Sequence, residues 1–318
     1  MNRRIIIPPF LEKGDRIAMI SPASVLDDEI IRKAQGIIWD WGYEPVLGPN
    51  VGKVDAGKYA GTPSERADDV IWAYTDPSIK AILCNRGGYG LIHLVDMIPP
   101  TVFTSSPKWM VGFSDVTTLL SMSASAGVAS LHATMPSLFS TGGQDELSAD
   151  LLRLFLEGKV PSYRFDGGDF LKEGYAEGIL LGGNICTFAP LLAAKQYFTP
   201  KKDIILFIED VEETFHNIDR QFFTLKLSGL LDQVKGVIVG DFTDCIPDLG
   251  YGSIAQMLWE RYLRDMDIPV CCGFPAGHDK RNVPLIEGAN VRLSVKGGDC
   301  SLSFDVKGEE FWVDLRGE

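Results

Sequence analysis

Positive charge is scarce in this chain: its 318 residues include 30 lysines and arginines against 43 aspartates and glutamates, a formal net charge of −13. Nucleic acid and anionic membrane both need a basic footprint, so this balance argues against either as a partner. Histidine is scarcer still, with four in the whole chain. The six cysteines, Cys84, Cys186, Cys245, Cys271, Cys272 and Cys300, form no C-x-x-C pair. The usual zinc and dithiol signatures are therefore missing, and buried free thiols in a reducing cytoplasm account for the cysteines most simply. No apolar run approaches the roughly 20 residues of a transmembrane helix. The opening Met1-Asn2-Arg3-Arg4-Ile5-Ile6-Ile7-Pro8-Pro9 imitates a secretory leader, but prolines and then Glu12 and Lys13 interrupt it before any small-residue cleavage site. There is no internal repeat and no low-complexity tract.

What is present suits a globular α/β protein: 45% hydrophobic and 23% charged residues, in a chain long enough for two domains. The first half alternates strand and helix signals. A strand at 16–22 is followed by a helix capped by Asp27, with apolar positions Ile30, Ile31, Ala34, Ile37, Ile38 and Trp41 at helical spacing. Thr62-Pro63-Ser64-Glu65 is a capping box with proline at the first helical position. Strands at 81–85 and 109–113 follow, and this rhythm predicts a mainly parallel sheet with helices on both faces. Residues 157–177 turn rich in glycine, proline and charge and read as an inter-domain linker. Beyond them come a strand at 204–208, an amphipathic helix from near Ile218, a strand at 236–241, a helix over 253–266, and an alternating pattern over 291–306 that predicts an antiparallel hairpin. The expected organisation is a first domain over 1–160, a linker over 161–177 and a mixed second domain over 178–318.

Ser114 stands between the apolar run Trp109-Met110-Val111-Gly112 and the helix-like Val116-Thr117-Thr118-Leu119-Leu120. Such a placement suits a nucleophile elbow, with the hydroxyl beside backbone N–H groups and a helix start. A helix N-cap is the plainer alternative, and Asp115 stands where the elbow pattern G-x-S-x-G continues without its closing glycine. A base and its orienter are available further on. Glu209 is the first polar residue after Ile204-Ile205-Leu206-Phe207-Ile208, and His278 lies in a Gly/Pro-rich loop after Val270-Cys271-Cys272. The order serine, acid, histidine is that of α/β-hydrolases. Asp210 adjoins Glu209 and is the other candidate acid; strand alternation sends the two side chains to opposite faces, so one of them faces the serine. Asn85-Arg86-Gly87-Gly88-Tyr89-Gly90 is a glycine loop between strand and helix, able to free N–H groups for a ligand. It is neither G-x-G-x-x-G nor a P-loop, so an oxyanion hole from the Gly88 and Asp115 N–H groups suits it better than a phosphate cradle. Arg86 could meet a peptide carboxylate, Asn184 could touch substrate or form a turn, and Arg220 reads as an ion-pair partner. His93 is placed on an apolar helix face and His132 in a strand. His216 with Glu212 and Glu213 matches no zinc spacing and reads as solvated surface, so no metal is expected.

Ser21-Pro22-Ala23-Ser24, Gly87-Gly88-Tyr89-Gly90, Gly112-Phe113-Ser114-Asp115, Gly182-Gly183-Asn184, Glu209 with Ile218-Asp219-Arg220, and Gly277-His278 follow one another in this order. Together they resemble the LD-carboxypeptidases, serine peptidases of murein recycling whose relatives include the microcin C immunity hydrolases. The resemblance spans nearly the whole chain. It implies a Rossmann-like N-terminal domain, a swivelling β/α C-terminal domain, a cytoplasmic homodimer acting on murein peptide, and no cofactor. It also selects Ser114, Glu209 and His278 as the triad, with Gly88 and Asp115 as oxyanion donors. Two departures bear on substrate. His132-Ala133-Thr134 stands where many members have His-Gly-Pro, and the linker lacks the longer tryptophan-bearing loop of the microcin branch, which points to the peptidoglycan branch. Hydrolysis of aminoacyl-nucleotide amides, or peptide binding without catalysis, are the alternatives.

Overall fold

The computed structural model describes residues 5–199 and 202–316. Met1 to Arg4, the charged start of the leader-like segment, lie outside them. Fourteen strands are present among the described residues: β1 (Arg16–Ile20), β2 (Glu44–Leu47), β3 (Ile79–Cys84), β4 (Trp109–Gly112), β5 (Ser130–His132), β6 (Lys159–Asp166), β7 (Gly174–Asn184), β8 (Ile204–Val211), β9 (Val234–Thr243), β10 (Val270–Cys272), β11 (Leu285–Glu287), β12 (Asn290–Lys296), β13 (Asp299–Phe304) and β14 (Glu309–Asp314). They form two sheets, ordered β11-β5-β4-β3-β1-β2 and β10-β9-β8-β7-β12-β13-β6-β14.

In the first sheet β1 to β5 run parallel. Buried on both faces by helices, β4 reads as an unbroken apolar run. The first two helices start as expected: Asp27 caps Asp28–Asp40, and Thr62 and Glu65 close a capping box on Pro63–Thr75. Strand order reverses between β1 and β3, so the chain leaves their carboxyl ends in opposite directions and opens a crevice there. Ser21-Pro22-Ala23-Ser24 and the glycine loop occupy that crevice, joined by Asn85 Nδ2 donating to Ser21 Oγ at 2.9 Å.

The second sheet is mixed. β7 to β10 are parallel, while β12 and β13 form the expected antiparallel hairpin. Two segments depart from the expected organisation. Residues 159–166, partly inside the expected linker, are β6, which pairs antiparallel with β13 and parallel with β14. Pro161 is tolerated because β13 pairs only with Tyr163 to Asp166, so the missing N–H leaves no gap on that side. Residues 285–287, expected in the second domain, are β11 and pair antiparallel with β5 on the edge of the first sheet. The two sheets are also joined through apolar packing: one continuous buried cluster holds Leu119 and Phe113 with Ile185 and Leu206, and a second holds Leu83 and Trp109 with Phe207 and Ile238. The helix over 253–266 is shorter than read, Ile254–Leu258 in α form with Ser253 as its cap, and continues as a π turn over Trp259–Leu263.

Candidate active site

β4 ends at Gly112, and the next turn is tight: a Cβ on Gly112 would lie 2.7 Å from a Val116 methyl. Ser114 then takes a φ of +62°, one of five non-glycine residues described with positive φ. A left-handed serine is held there against its own preference, as at the elbows of hydrolytic serines. Ser114 side chain caps nothing; the caps of the 3-10 turn Ser114–Val116 and of the helix Thr117–Ala126 are Phe113 and Val116, neither with a side-chain bond. The N-cap alternative is thereby set aside.

The glycine loop backs onto this serine. A Cβ on Gly87 would lie 2.9 Å from Ser114 Cβ and 3.0 Å from its Oγ, so only glycine fits. Gly88 has φ +112° and packs on Ser24, where a Cβ would fall 2.2 Å from the hydroxyl. Ser24 Oγ accepts the Tyr89 N–H, whereas the N–H groups of Gly88 and Asp115 find no acceptor among the described residues. Arg66, missed by sequence reasoning, and the carboxylate of Asp115, singled out only for its N–H, shape the loop. Buried Arg66 donates to the carbonyls of Gly61, Pro22 and Gly90. Buried Asp115 turns its carboxylate to the Leu91 N–H at 2.9 Å, tying elbow to loop. Burial raises the Asp115 pKa, while that bond and Arg66 oppose the shift.

Glu209 is fully buried at the end of β8, and its Oε2 accepts from His278 Nδ1 at 2.7 Å. The register of β8 against β9 shifts here, Ile208 pairing with Val239 but Asp210 with Phe242. One more residue lies on β9 than on β8 between these pairs, an irregularity of the kind that re-aims side chains near active sites. It brings Asp241 beside the loop that carries the histidine: a Cβ on Gly277 would lie 3.1 Å from Asp241 Cβ and 3.2 Å from Glu209 Oε2. Asp241, unforeseen from sequence, is pushed up to about 7 by burial and by the neighbouring Asp279 and Glu209 carboxylates. For His278, burial works against the charged ring, but Glu209, Asp210 and Asp241 outweigh it and the net shift is upward. The His278 ring lies 4.8 Å from that of Phe113, the residue before Ser114. The His278–Glu209 pair thus packs against the residue that precedes Ser114. Ser114 Oγ makes no hydrogen bond among the described residues; in ligand-free sites this contact often tightens only with substrate.

The remaining residues fall as follows. Asp210 is committed elsewhere, its oxygens accepting from Asn184 Nδ2 and the Cys186 and Val211 N–H groups. Burial and the adjacent Glu209 raise it to about 6. Both ends of the Asn184 amide have partners within the chain, as the turn alternative has it: Oδ1 caps the helix Ile185–Phe188 at Thr187 N while Nδ2 holds Asp210. Arg86 is exposed beside the glycine loop, with one long bond to Val25 O. Arg220 donates to Asn217 Oδ1, and no ion pair of it is present among the described residues. His93 is exposed on a short 3-10 turn, Leu91–Leu94, rather than on an apolar face; Tyr59 and Tyr89 flank it. His216 pairs with Asp248, and Glu213 accepts from Asn217, so the two do not converge on a common centre.

Residues 17–133 match the LD-carboxypeptidase N-terminal domain and residues 177–293 the LD-carboxypeptidase C-terminal domain. A protein of Synechocystis sp. named as a carboxypeptidase is 35% identical over 306 residues, covering 95% of this chain and 98% of that one. The chain belongs to the LD-carboxypeptidase family. The murein tetrapeptide carboxypeptidase of Pseudomonas aeruginosa is 26% identical, over 87% of this chain and 94% of its own length. The crystal structure of a muramoyltetrapeptide carboxypeptidase from Oxalobacter formigenes superposes with a TM-score of 0.81 at 27% identity, covering 91% of this chain and 98% of the other. An MccF-like protein of Bacillus anthracis shares the fold, with a TM-score of 0.83 at 22% identity over 94% of this chain and 99% of that one. The expected two-part α/β architecture of this family is borne out by these likenesses and by the two sheets.

Proposed function

We propose that this LD-carboxypeptidase family member is a serine carboxypeptidase that releases the terminal D-alanine of a murein tetrapeptide through an acyl-enzyme. The observation that carries the reading is the 2.7 Å bond from His278 Nδ1 to buried Glu209, beside a serine at φ +62°. With Nδ1–H committed to Glu209, His278 Nε2 is the free base. It takes the Ser114 proton as Oγ attacks the amide carbonyl carbon between an L-configured diamino acid centre and D-alanine. The oxyanion is met by the Gly88 and Asp115 N–H groups, each of which could supply about 3 to 4 kcal/mol of transition-state stabilisation. His278 returns the proton to the leaving nitrogen and D-alanine departs; water, deprotonated by the same imidazole, then attacks the acyl carbon, the bond to Ser114 Oγ breaks, and His278 hands the proton to Oγ as the tripeptide leaves. Exposed Arg86 is the candidate partner for the terminal carboxylate.

The reading includes a homodimer, as the resemblance implies, and a cytoplasmic site of action, supported by six cysteines all in thiol form. No helix among the described residues is long and apolar enough to cross a membrane. The test is mass spectrometry of products from L-Ala-γ-D-Glu-meso-diaminopimelate-D-Ala and, separately, from an aminoacyl sulfamoyl adenylate. Loss of one alanine from the peptide is expected. Cleavage of the adenylate alone would transfer the chain to the nucleotide-amide branch, and peptide binding with neither cleaved would make it a binding protein.

A further inference from the structure

His132 lies at the end of β5 with its side chain completely buried, and the chemistry above does not use it. Its Nε2 faces Asn282 Oδ1 at 3.2 Å. The same oxygen accepts the Gly277 N–H, also at 3.2 Å, one residue before the base. Asn282 is itself fully buried and fixed from behind by Ser148, whose hydroxyl accepts the Asn282 N–H at 2.9 Å. On its other side the His132 ring packs 5.5 Å from Phe113, the residue before the nucleophile, and 5.1 Å edge-on from Phe207 of β8, two residues before the acid. Phe113 in turn touches the His278 ring. One imidazole therefore contacts the immediate supports of all three triad members.

We infer that His132 is a positioning residue: as the neutral Nε2–H tautomer it donates to Asn282 Oδ1 and thereby sets the Gly277–His278 backbone in register with the Ser114 elbow. An amide oxygen accepts and does not donate, so the shared contact needs a hydrogen on the imidazole nitrogen. His132 Nδ1 is buried with no partner, which suits a bare nitrogen and not a second N–H. Glu209 and His278 are the titratable groups that act on it electrostatically, and burial, the larger influence, disfavours its charged form. A neutral ring here also avoids placing a second positive charge beside the imidazolium that His278 becomes during acylation. Gly277 sits at φ +144° with Glu209 and Asp241 close behind it, so a loop released from Asn282 would carry His278 away from Glu209 Oε2.

The inference rests on the triad reading, and its test is independent of the substrate. Three proteins are compared: the unaltered chain, His132→Leu, which removes the donor, and His132→Gln, which restores an N–H donor of similar reach. The rate at which a fluorophosphonate labels Ser114 is followed from acid to neutral pH. His132→Leu should label about 10- to 100-fold more slowly, the scale expected when a reacting group is displaced by about an ångström. Its acid limb should move to lower pH as His278 loosens from Glu209, and His132→Gln should recover most of the rate. Wild-type rates in His132→Leu, or equal losses in both variants with an unmoved acid limb, would reduce His132 to packing and overturn the inference. If neither variant folds, long-range 15N NMR of the unaltered protein decides: neutral Nε2–H for His132 supports the assignment, and Nδ1–H or an imidazolium at pH 6 refutes it. Normal labelling behaviour with an uncleaved tetrapeptide would remove the substrate proposal and leave this one standing.

Discussion

Replacing Ser114 by glycine and by alanine separates the chemistry of the elbow from its strain. Both substitutions remove Oγ, so both should abolish turnover if Ser114 is the nucleophile. They differ in the Cβ, which alanine keeps at a φ of +62°. A left-handed conformation costs an L-residue about 1 to 2 kcal/mol, a cost that glycine does not bear. Glycine gives back about 0.4 to 1 kcal/mol through the greater freedom of its unfolded chain. The net expectation is that Ser114→Gly is more stable than Ser114→Ala by about 0.5 to 1 kcal/mol. With a urea m-value of about 3 kcal/mol/M for a chain of this size, the glycine midpoint lies about 0.2 to 0.3 M higher. Urea titrations of the two variants, followed by far-UV circular dichroism with matched m-values, measure this directly. An alanine variant as stable as the glycine variant, or more so, would refute the idea that the elbow stores backbone strain.

Three further outcomes follow from the same geometry. Glu209→Gln should lower kcat by about 10³- to 10⁴-fold, the scale seen when a triad acid loses its charge. Because Glu209 is the leading group raising His278, the acid limb of the kcat/KM profile should also move to lower pH, and an unmoved limb would contradict the assignment. Gly88→Ala would set a Cβ 2.2 Å from Ser24 Oγ at φ +112°, displacing the proposed oxyanion donor; a loss of about 10²-fold in kcat is expected, and near-normal turnover would remove Gly88 from the site. His132 is held down to about 4 from an ordinary 6.5 by burial. The folded state then binds fewer protons than the unfolded one as pH falls below 6.5, so stability is lost with acid. From about pH 7.5 to about pH 5 the loss through this group is about 2 kcal/mol. His132→Gln should lack it, and parallel stability curves for the two proteins would contradict the burial argument.

Much of this site was legible because parallel strands buried on both faces are long apolar runs, and the polar residue that ends each one is conspicuous. Ser114 after β4, Glu209 within β8 and the His278 loop after β10 were each singled out as candidates that way. The glycine loop was legible through its composition, and Gly87 and Gly88 do sit where any side chain would collide. β6 was hidden by its own composition: Pro161 and the flanking glycines and charges look like a linker, and only its neighbours β13 and β14, more than a hundred residues away, supply its hydrogen bonds. β11 is three residues long and could not be assigned to the first sheet without its partner β5. Asn184 was ambiguous because an amide after two glycines suits a ligand and a helix cap equally, and the cap shows only through Thr187 and Asp210. Asp241 and Asn282 carry no local pattern, and His132 was legible only as a strand histidine; the β8–β9 register shift and the return of the chain to β11 bring all three near His278.

The central claim is that Ser114 performs the hydrolysis with His278 and Glu209 behind it. Its most direct test incubates the L-Ala-γ-D-Glu-meso-diaminopimelate-D-Ala tetrapeptide with the protein and with Ser114→Ala, and follows both peptide and intact protein by rapid-quench mass spectrometry. The account predicts loss of one alanine with the unaltered chain, a transient tripeptidyl adduct mapping to Ser114, and neither signal from a folded Ser114→Ala. Alanine release by Ser114→Ala, or an adduct on another residue, would contradict it.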